Sequence, residues 1–399
     1  MSSVVITEFN YQSHDIQIGA LIDDSKRCKE LRIQPNDTIS ILDNIYMAKV
    51  ENIVPNIDAA FVMIQPGIRC YLPLNKIKKP LYSSNRSGTK SLRVGDELLV
   101  QISRDAMKGK LPAVSTDLSI RGKYFVFTTD STEIGYSSKL SKEEKQRLSA
   151  LVLGLMPEQR EYGLIVRTNA AVSGDQELME EFQILKKQIE NILEFGPHRI
   201  CFSCIYEPGS FYKSLLEGIH LNEIEKIVTD KKTVYDGVKE MIGEKVTVCY
   251  YEDRLLPLYK LYNLESELNE IYHEKVWLKS GGFLVIQQTE AFVSIDVNSG
   301  KYLSKKNAEE GYFKINLEAA REIARQLRLR NLSGMILIDF INMSDPSHLE
   351  ELFKALQYDL KKDPIRTTAV DITALNILEV TRKKVRRPLI EDLKMLKEQ

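Results

Sequence analysis

Two apolar runs that each end on a carboxylate constrain the fold of this chain more than any other feature. Ala291-Phe-Val-Ser-Ile-Asp-Val-Asn-Ser-Gly300 and Gly334-Met-Ile-Leu-Ile-Asp-Phe340 are short, rich in β-branched residues and bounded by turn formers. Such runs read as buried strands. If they are neighbours in one sheet, Asp296 and Asp339 emerge at the same edge. Asn298 then shares the side of Asp296, because side chains alternate along an extended chain. Two carboxylates and an amide oxygen suit Mg²⁺ or Mn²⁺, which accept carboxylates and keep several waters. The plainer alternative is that strand-end Asp and Asn make turns.

A long segment joins the two runs: Asn316-Leu-Glu-Ala-Ala-Arg-Glu-Ile-Ala-Arg-Gln-Leu-Arg-Leu-Arg-Asn-Leu-Ser-Gly334. It is followed by Ile338-Asp-Phe-Ile-Asn-Met343 and Leu378-Glu-Val-Thr-Arg-Lys-Lys-Val-Arg-Arg-Pro388. This ordered set resembles the catalytic core of the ribonuclease E/G family of bacterial endoribonucleases. A shared order of short motifs over roughly a hundred residues is more specific than any single pattern. The resemblance implies an α/β (α+β multidomain) chain with a DNase I-like catalytic domain over residues 274–388. It implies that Asp296 and Asp339 hold the metal and that Asn298 orients water or the scissile phosphate.

Charge narrows how RNA could be held. Lys+Arg number 55 against 56 Asp+Glu, a net charge of −1, so any nucleic-acid contact must come from local basic patches. No run of eighteen apolar residues is present, and the start Met1-Ser-Ser-Val-Val-Ile-Thr-Glu lacks a signal-peptide pattern, so no membrane span is expected. Five scattered cysteines fit a reducing cytoplasm. Cys201 and Cys204 form a C-x-x-C, but it has no second pair to complete a zinc site, and residues 199–206 read as a buried strand.

Along the chain, residues 4–9, 16–22 and 28–33 are strand-like runs of a meander too small to be a domain alone. The resemblance pairs residues 1–36 with 214–273 in a ribonuclease-H-like subdomain. Residues 45–54, 58–64, 68–73, 97–103 and 113–120 are five further strand candidates, a density that predicts an OB-like barrel over residues 37–118. Alternation sets Ala60, Val62 and Ile64 on one face and Phe61 on the other; Tyr71 likewise lies opposite Cys70 and Leu72. Such an aromatic pair is either a base-stacking platform or a second apolar layer. Lys108 and Lys110 offer charge for the RNA backbone alongside. The resemblance is to an inserted S1-type RNA-binding domain, and it places RNA contacts at Phe61, Tyr71 and Lys110.

Between residues 119 and 213, residues 121–127 and 162–168 read as strands. Leu178, Phe182, Leu185, Ile189 and Ile192 mark one helix face. Arg167 and Thr168 at a strand end suit either a phosphate or a surface carboxylate partner. The resemblance assigns this region as a sensor of an RNA 5′-monophosphate, built from Gly122, Val126, Arg167 and Thr168 with the distant Arg366. Residues 211–227 look helical, and residues 245–251 read as a strand. In the last domain, residues 283–286 and 292–297 form a hairpin, and a helix runs from about 315 to 330. That helix groups Arg321, Arg325 and Arg328, either as a phosphate-tracking stripe or as a face salt-bridged to Glu318 and Glu322. Asp345-Pro346 caps a helix to about 361, and Arg382-Lys-Lys-Val-Arg-Arg387 reads as a solvated basic cluster.

One departure from the family pattern is expected: residues 389–399 form a short tail with no cysteine beyond Cys249. A structural zinc, and an assembly linked by it, are therefore not expected, and a homodimer stays open. The expected activity is Mg²⁺-dependent cleavage of single-stranded RNA in rRNA maturation or mRNA decay, leaving a 5′-phosphate and a 3′-hydroxyl. Two alternatives stand beside it: a non-catalytic S1-type RNA-binding or ribosome-assembly factor, and a DNA-directed nuclease with the same metal core.

Overall fold

The computed structural model describes residues 2–36, 41–84, 91–106, 110–217, 219, 221–300 and 308–398. They form a mixed α/β fold in two compact units, Met1–Ile39 with Ile224–Gln399 and, separately, Ser40–Glu223. Lys108 lies outside the described residues.

In the first unit, Ser2–Tyr11, His14–Ile22 and Cys28–Pro35 run as an antiparallel meander. Ile224–Thr229 adds parallel to Ser2–Tyr11, and Thr247–Tyr250 adds beyond it, completing a five-stranded sheet. Val5, Phe9, Ile16 and Ile18 of that sheet pack against Leu258, Leu264, Leu268 and Leu393. The helical reading of residues 211–227 is therefore wrong at its end. The helix stops at Glu217, and Ile224–Thr229 is a strand because its backbone pairs with the first strand of the chain.

The second sheet of this unit has six strands, in the order Lys275–Trp277, Phe283–Gln288, Phe292–Asn298, Gly334–Asp339, Ile377–Arg382 and Thr367–Ile372. Phe292–Asn298 and Gly334–Asp339 are parallel neighbours, which requires a long crossover; helix Ala308–Leu329 lies on it. One sheet face is apolar throughout: Leu284, Ile286, Val293, Ile295, Ile336 and Ile338 pack against Ile315, Ala319, Ile323 and Leu327 of this helix and Leu352 and Leu356 of helix Pro346–Leu360. Each fully buried side chain of this size contributes about 1.5–3 kcal/mol. Asp345 caps the second helix, accepting from the Ser347 N–H at 2.8 Å.

Two of the three arginines in the stripe, Arg325 and Arg328, turn inward. Arg325 pairs with Glu322 at 2.7 Å and donates to the Cys28 carbonyl at 2.6 Å. Arg328 reaches Glu30 at 3.1 Å, and Arg32 meets the same carboxylate at 2.7 Å. Arg321 remains exposed. Glu318 is no partner of these arginines: its carboxylate accepts the Lys279 and Ser280 N–H groups at 2.7 and 3.2 Å. The basic cluster at 382–387 also begins inside, since Arg382 and Asp363 form a buried pair at 2.7 Å with both side chains 3% exposed.

In the second unit, Ile45–Val54, Ala59–Gln65, Ile68–Pro73, Ala113–Ser115 and Glu97–Arg104 close into a five-stranded barrel by pairing of the first with the last, consistent with an OB-like fold. Cys204–Tyr206 adds to Ile45–Val54 from outside. The run 113–120 is not one strand: Ser119–Arg121 joins a separate four-stranded sheet with Phe125–Thr128, Gly163–Val166 and Ile134–Tyr136. Helix Asp175–Phe195 covers that sheet through Leu178, Phe182, Leu185 and Ile189. The C-x-x-C segment turns before it becomes a strand. Phe202 takes φ +70°, its N–H bonds the Met47 carbonyl at 2.7 Å, and Cys204 is exposed.

Candidate metal centre and nucleic-acid surfaces

The parallel register sets Asp296 directly abreast of Asp339. Their flanking residues Ile295, Val297, Ile338 and Phe340 are buried, so alternation turns both carboxylates to the opposite, exposed side. Neighbouring strands lie about 4.8 Å apart, which puts the two acids within reach of one ion. Asn298, two residues on, donates its amide N–H to Asp296 Oδ2 at 2.7 Å. Partial burial and then the charge of Asp296 push the Asp339 carboxyl up. A divalent cation would offset that repulsion. Two carboxylates backed by an amide fit Mg²⁺ or Mn²⁺, with waters or phosphate oxygens completing the shell. Among the described residues there is no group of three or more His, Cys, Asp or Glu disposed to hold a metal.

Helix Ala308–Leu329 holds the loops on both sides of this pair. Fully buried Asn316 donates to the Ile341 carbonyl at 2.8 Å and accepts the Ile341 N–H at 3.1 Å, clamping the chain two residues past Asp339. Two residues on, Glu318 holds the turn before Phe283, the register partner of Asn298. Gly300 closes the same corner at φ +61°; a Cβ there would lie 2.3 Å from the Gly281 carbonyl oxygen. The role of Asn316 was not legible beforehand, since a buried Asn on an amphipathic helix carries no spacing signal.

Phe61 and Tyr71 are register partners on the barrel, both half-buried, with ring centroids 6.3 Å apart and planes at 70°. Ala60, Val62, Ile64, Cys70 and Leu72 fill the interior behind them. Lys110 is exposed, close in sequence to Pro112, whose carbonyl accepts the Tyr71 N–H at 2.9 Å.

Gly122, Arg167 and Thr168 come together at one end of the four-stranded sheet. The Arg167 N–H bonds the Tyr124 carbonyl at 2.8 Å, and its guanidinium donates to the carbonyls of Gly122 and Glu217. Thr168 Oγ1 lies 3.0 Å from Ser137 Oγ. A Cβ on Gly122 would sit 2.5 Å from Glu181 Oε1 and 2.6 Å from Leu185 Cδ1, so a larger residue here would displace the ends of those side chains. Val126 stands on the adjoining strand opposite Arg121 and Ile165. Arg366 is exposed and belongs to the other compact unit.

Two carboxylates near Arg167 escaped the sequence reading. Glu181 accepts the N–H groups of Lys123, Tyr124 and Phe125 at 3.0, 2.7 and 3.1 Å. Burial pushes its carboxyl up, the three N–H bonds notwithstanding. Glu217 is pushed up to about 7 by burial, with Arg167 opposing and Glu181 adding to the shift. The available signal was the Glu177/Glu181 pair, one helical turn apart beside Leu178 and Phe182.

A sequence profile of the ribonuclease E/G family matches residues 119–385. Ribonuclease G of Escherichia coli is 30% identical over 376 residues, covering 90% of this chain and 76% of that protein. Ribonuclease G of Haemophilus influenzae is 30% identical over 377 residues, with the same two shares. Ribonuclease E of a Nostoc species is 29% identical over 355 residues, 86% of this chain and 51% of that protein. With two acidic strand ends abreast in one sheet, a barrel beside a second sheet, and this breadth of similarity, the chain belongs to the ribonuclease E/G family.

Proposed function

We propose that the chain is an endoribonuclease that cuts single-stranded RNA at Asp296 and Asp339. The observation that carries this reading is the register of those two acids, abreast on parallel strands and braced by Asn298. Asp296 and Asp339 would hold Mg²⁺. When bound, that ion lowers the pKa of a water and offsets charge building on the phosphate. The Asn298 amide keeps Asp296 in one rotamer and faces the attacking water or the scissile phosphate. Water attacks phosphorus in line with the 3′ oxygen: a P–O bond forms, the P–O3′ bond breaks, and the proton passes to the departing oxygen. The products are a 5′-phosphate and a 3′-hydroxyl.

The same reading gives the chain four working parts. A ribonuclease-H-like subdomain would span 1–36 with 214–273, supported by the pairing of Ser2–Tyr11 with Ile224–Thr229. The barrel over 37–118 would bind RNA through Phe61, Tyr71 and Lys110. Residues 119–213 would sense a 5′-monophosphate through Gly122, Val126, Arg167 and Thr168, with Arg366 the fifth residue of the expected set. The six-stranded sheet would be the DNase I-like catalytic domain.

The test is cleavage of one short unstructured RNA, labelled at its 3′ end, bearing a 5′-monophosphate or a 5′-hydroxyl, with Mg²⁺ or EDTA. Cutting should require Mg²⁺, vanish in Asp339→Asn and run faster on the monophosphate, with Arg167→Ala erasing that preference. A chain that binds RNA without cutting it would instead be a binding factor.

A further inference from the structure

The sheet face that carries the acidic pair extends sideways onto the edge strand Lys275–Trp277. Cross-strand partners point to the same face. Trp277 pairs with Phe283 and Phe283 with Asn298, so these three side chains form one row. Lys275 pairs with Val285, Val285 with Asp296, and Asp296 with Asp339, forming the next. At about 4.8 Å per strand, Trp277 stands about 10 Å from Asn298.

Trp277 is 64% exposed, although a ring of that size ordinarily buries most of its surface. Its ring meets Phe283 edge-on, with centroids 5.3 Å apart. Lys275 Nζ lies over both rings, 4.0 Å from the Trp277 centroid and 3.7 Å from that of Phe283. These side chains do not serve the core, which is supplied from the other face by Val276 and Leu284. The row therefore offers two π faces set at 61° with a cation over both, on the same sheet face as the candidate hydrolytic groups. The ligand such a surface fits is a flat ring joined to an anion, which is a nucleotide.

We propose that Trp277, Phe283 and Lys275 form a stacking subsite for the base next to the scissile phosphate, an inference that rests on reading Asp296 and Asp339 as the hydrolytic pair. In the free chain the Lys275 ammonium covers the ring faces. An arriving base takes its place, and the ammonium moves to the phosphate of that nucleotide. Every base has a π face, so the subsite adds affinity and fixes the strand without selecting a sequence. A paired, stacked base cannot enter it, which makes the subsite a device for preferring single strands.

Trp277 is the single tryptophan of the chain, so its fluorescence reports on this subsite alone. The full chain is titrated in EDTA with a short unstructured 5′-hydroxyl RNA and with the same sequence as a duplex. Cleavage in Mg²⁺ is then compared for wild type, Trp277→Leu, Trp277→Tyr and Asp339→Asn. The RNA is used intact or with an abasic position beside the cut. Single strands should quench Trp277 saturably and the duplex should not. Trp277→Leu should lower kcat/KM about tenfold, mainly through KM, within the range of one lost base stack. Trp277→Tyr should restore most of it. Wild type should lose a similar factor on the abasic RNA, and Trp277→Leu should lose nothing further.

If Asp339→Asn is inactive while Trp277→Leu cuts like wild type, the subsite falls and the hydrolytic reading stands. If Asp339→Asn cuts like wild type, the hydrolytic reading falls and the subsite with it. A Trp277 signal that follows protein concentration and ignores RNA would overturn the subsite in favour of a second copy of the chain on this edge.

Discussion

Replacing Asp339 by Asn should make the metal-free chain more stable while it abolishes cleavage. The two carboxylates face the same way from neighbouring parallel strands, and both are exposed. At about 5 Å in a water-like dielectric, two unit charges repel by about 1 kcal/mol. Like charges directly opposite in a sheet cost about 0.2–1 kcal/mol, and exposure keeps the value in that range. Asn keeps the size of Asp, so no cavity offsets the relief. Among the described residues, no backbone N–H donates to either carboxylate, so the substitution breaks no turn. A domain of roughly 150–250 residues shifts its midpoint by about 2–4 °C per kcal/mol. Calorimetry of the full chain in EDTA should therefore show Asp339→Asn melting about 1–3 °C above wild type. Added Mg²⁺ should raise the wild-type midpoint and leave the variant nearly unmoved, so the order reverses. A variant that melts lower in EDTA, with a Mg²⁺ response equal to that of wild type, would make Asp339 a turn former and refute the paired-ligand reasoning.

Asn316→Leu should leave the N–H and carbonyl of half-buried Ile341 without partners, at about 1 kcal/mol for each group, the low end of the cost for buried ones, and should cut kcat more than it weakens RNA binding. Parallel turnover and binding measurements check this. The double change Phe61→Ala and Tyr71→Ala should weaken single-stranded RNA binding by about tenfold or more, read by anisotropy, and spare turnover at saturating RNA. Glu217 has a folded pKa of about 7, above the unfolded value of about 4.3, so its contribution is full below about 4.3 and fades as pH rises through 7. Hydrogen exchange of the Gly163–Val166 strand should thus quicken between pH 5.5 and 8 beyond the intrinsic rate change, and Glu217→Gln should flatten that response.

Local pattern located Ile45–Val54 and Ile68–Pro73: the first opens on four buried residues in a row, the second alternates with Cys70 and Leu72 inside, and polar turns bound both. Asp345-Pro346 marked its helix for a local reason too, a cap and a first-turn proline. The acidic pair was legible because each acid closes an apolar run, Asp339 as the last residue of its strand and Asp296 two residues before the end of Phe292–Asn298; their register was not, since it depends on the crossover helix. Helix Lys142–Leu155 was missed, although Ser141 and Glu144 spell a capping box. Its core face is only Leu148 and Val152, too little apolar pattern to see. Residues 224–227 kept a helical spacing, and pairing with a strand more than two hundred positions away overrode it. The same distance hid Glu30 as the partner of Arg328 and left the arginine stripe ambiguous.

That long-range pairing also sets an order of events during synthesis. The first hairpin, Ser2–Tyr11 with His14–Ile22, leaves the ribosome with one edge open, and the strand that covers it is Ile224–Thr229. At about 5–20 residues per second, the gap lasts on the order of tens of seconds. Meanwhile the intervening barrel and sheet, which have their own core, can fold. An unpaired apolar edge held that long is a template for pairing with another nascent chain. Slowed translation between residues 40 and 223 should therefore lower the yield of folded chain more than an equal delay after residue 250.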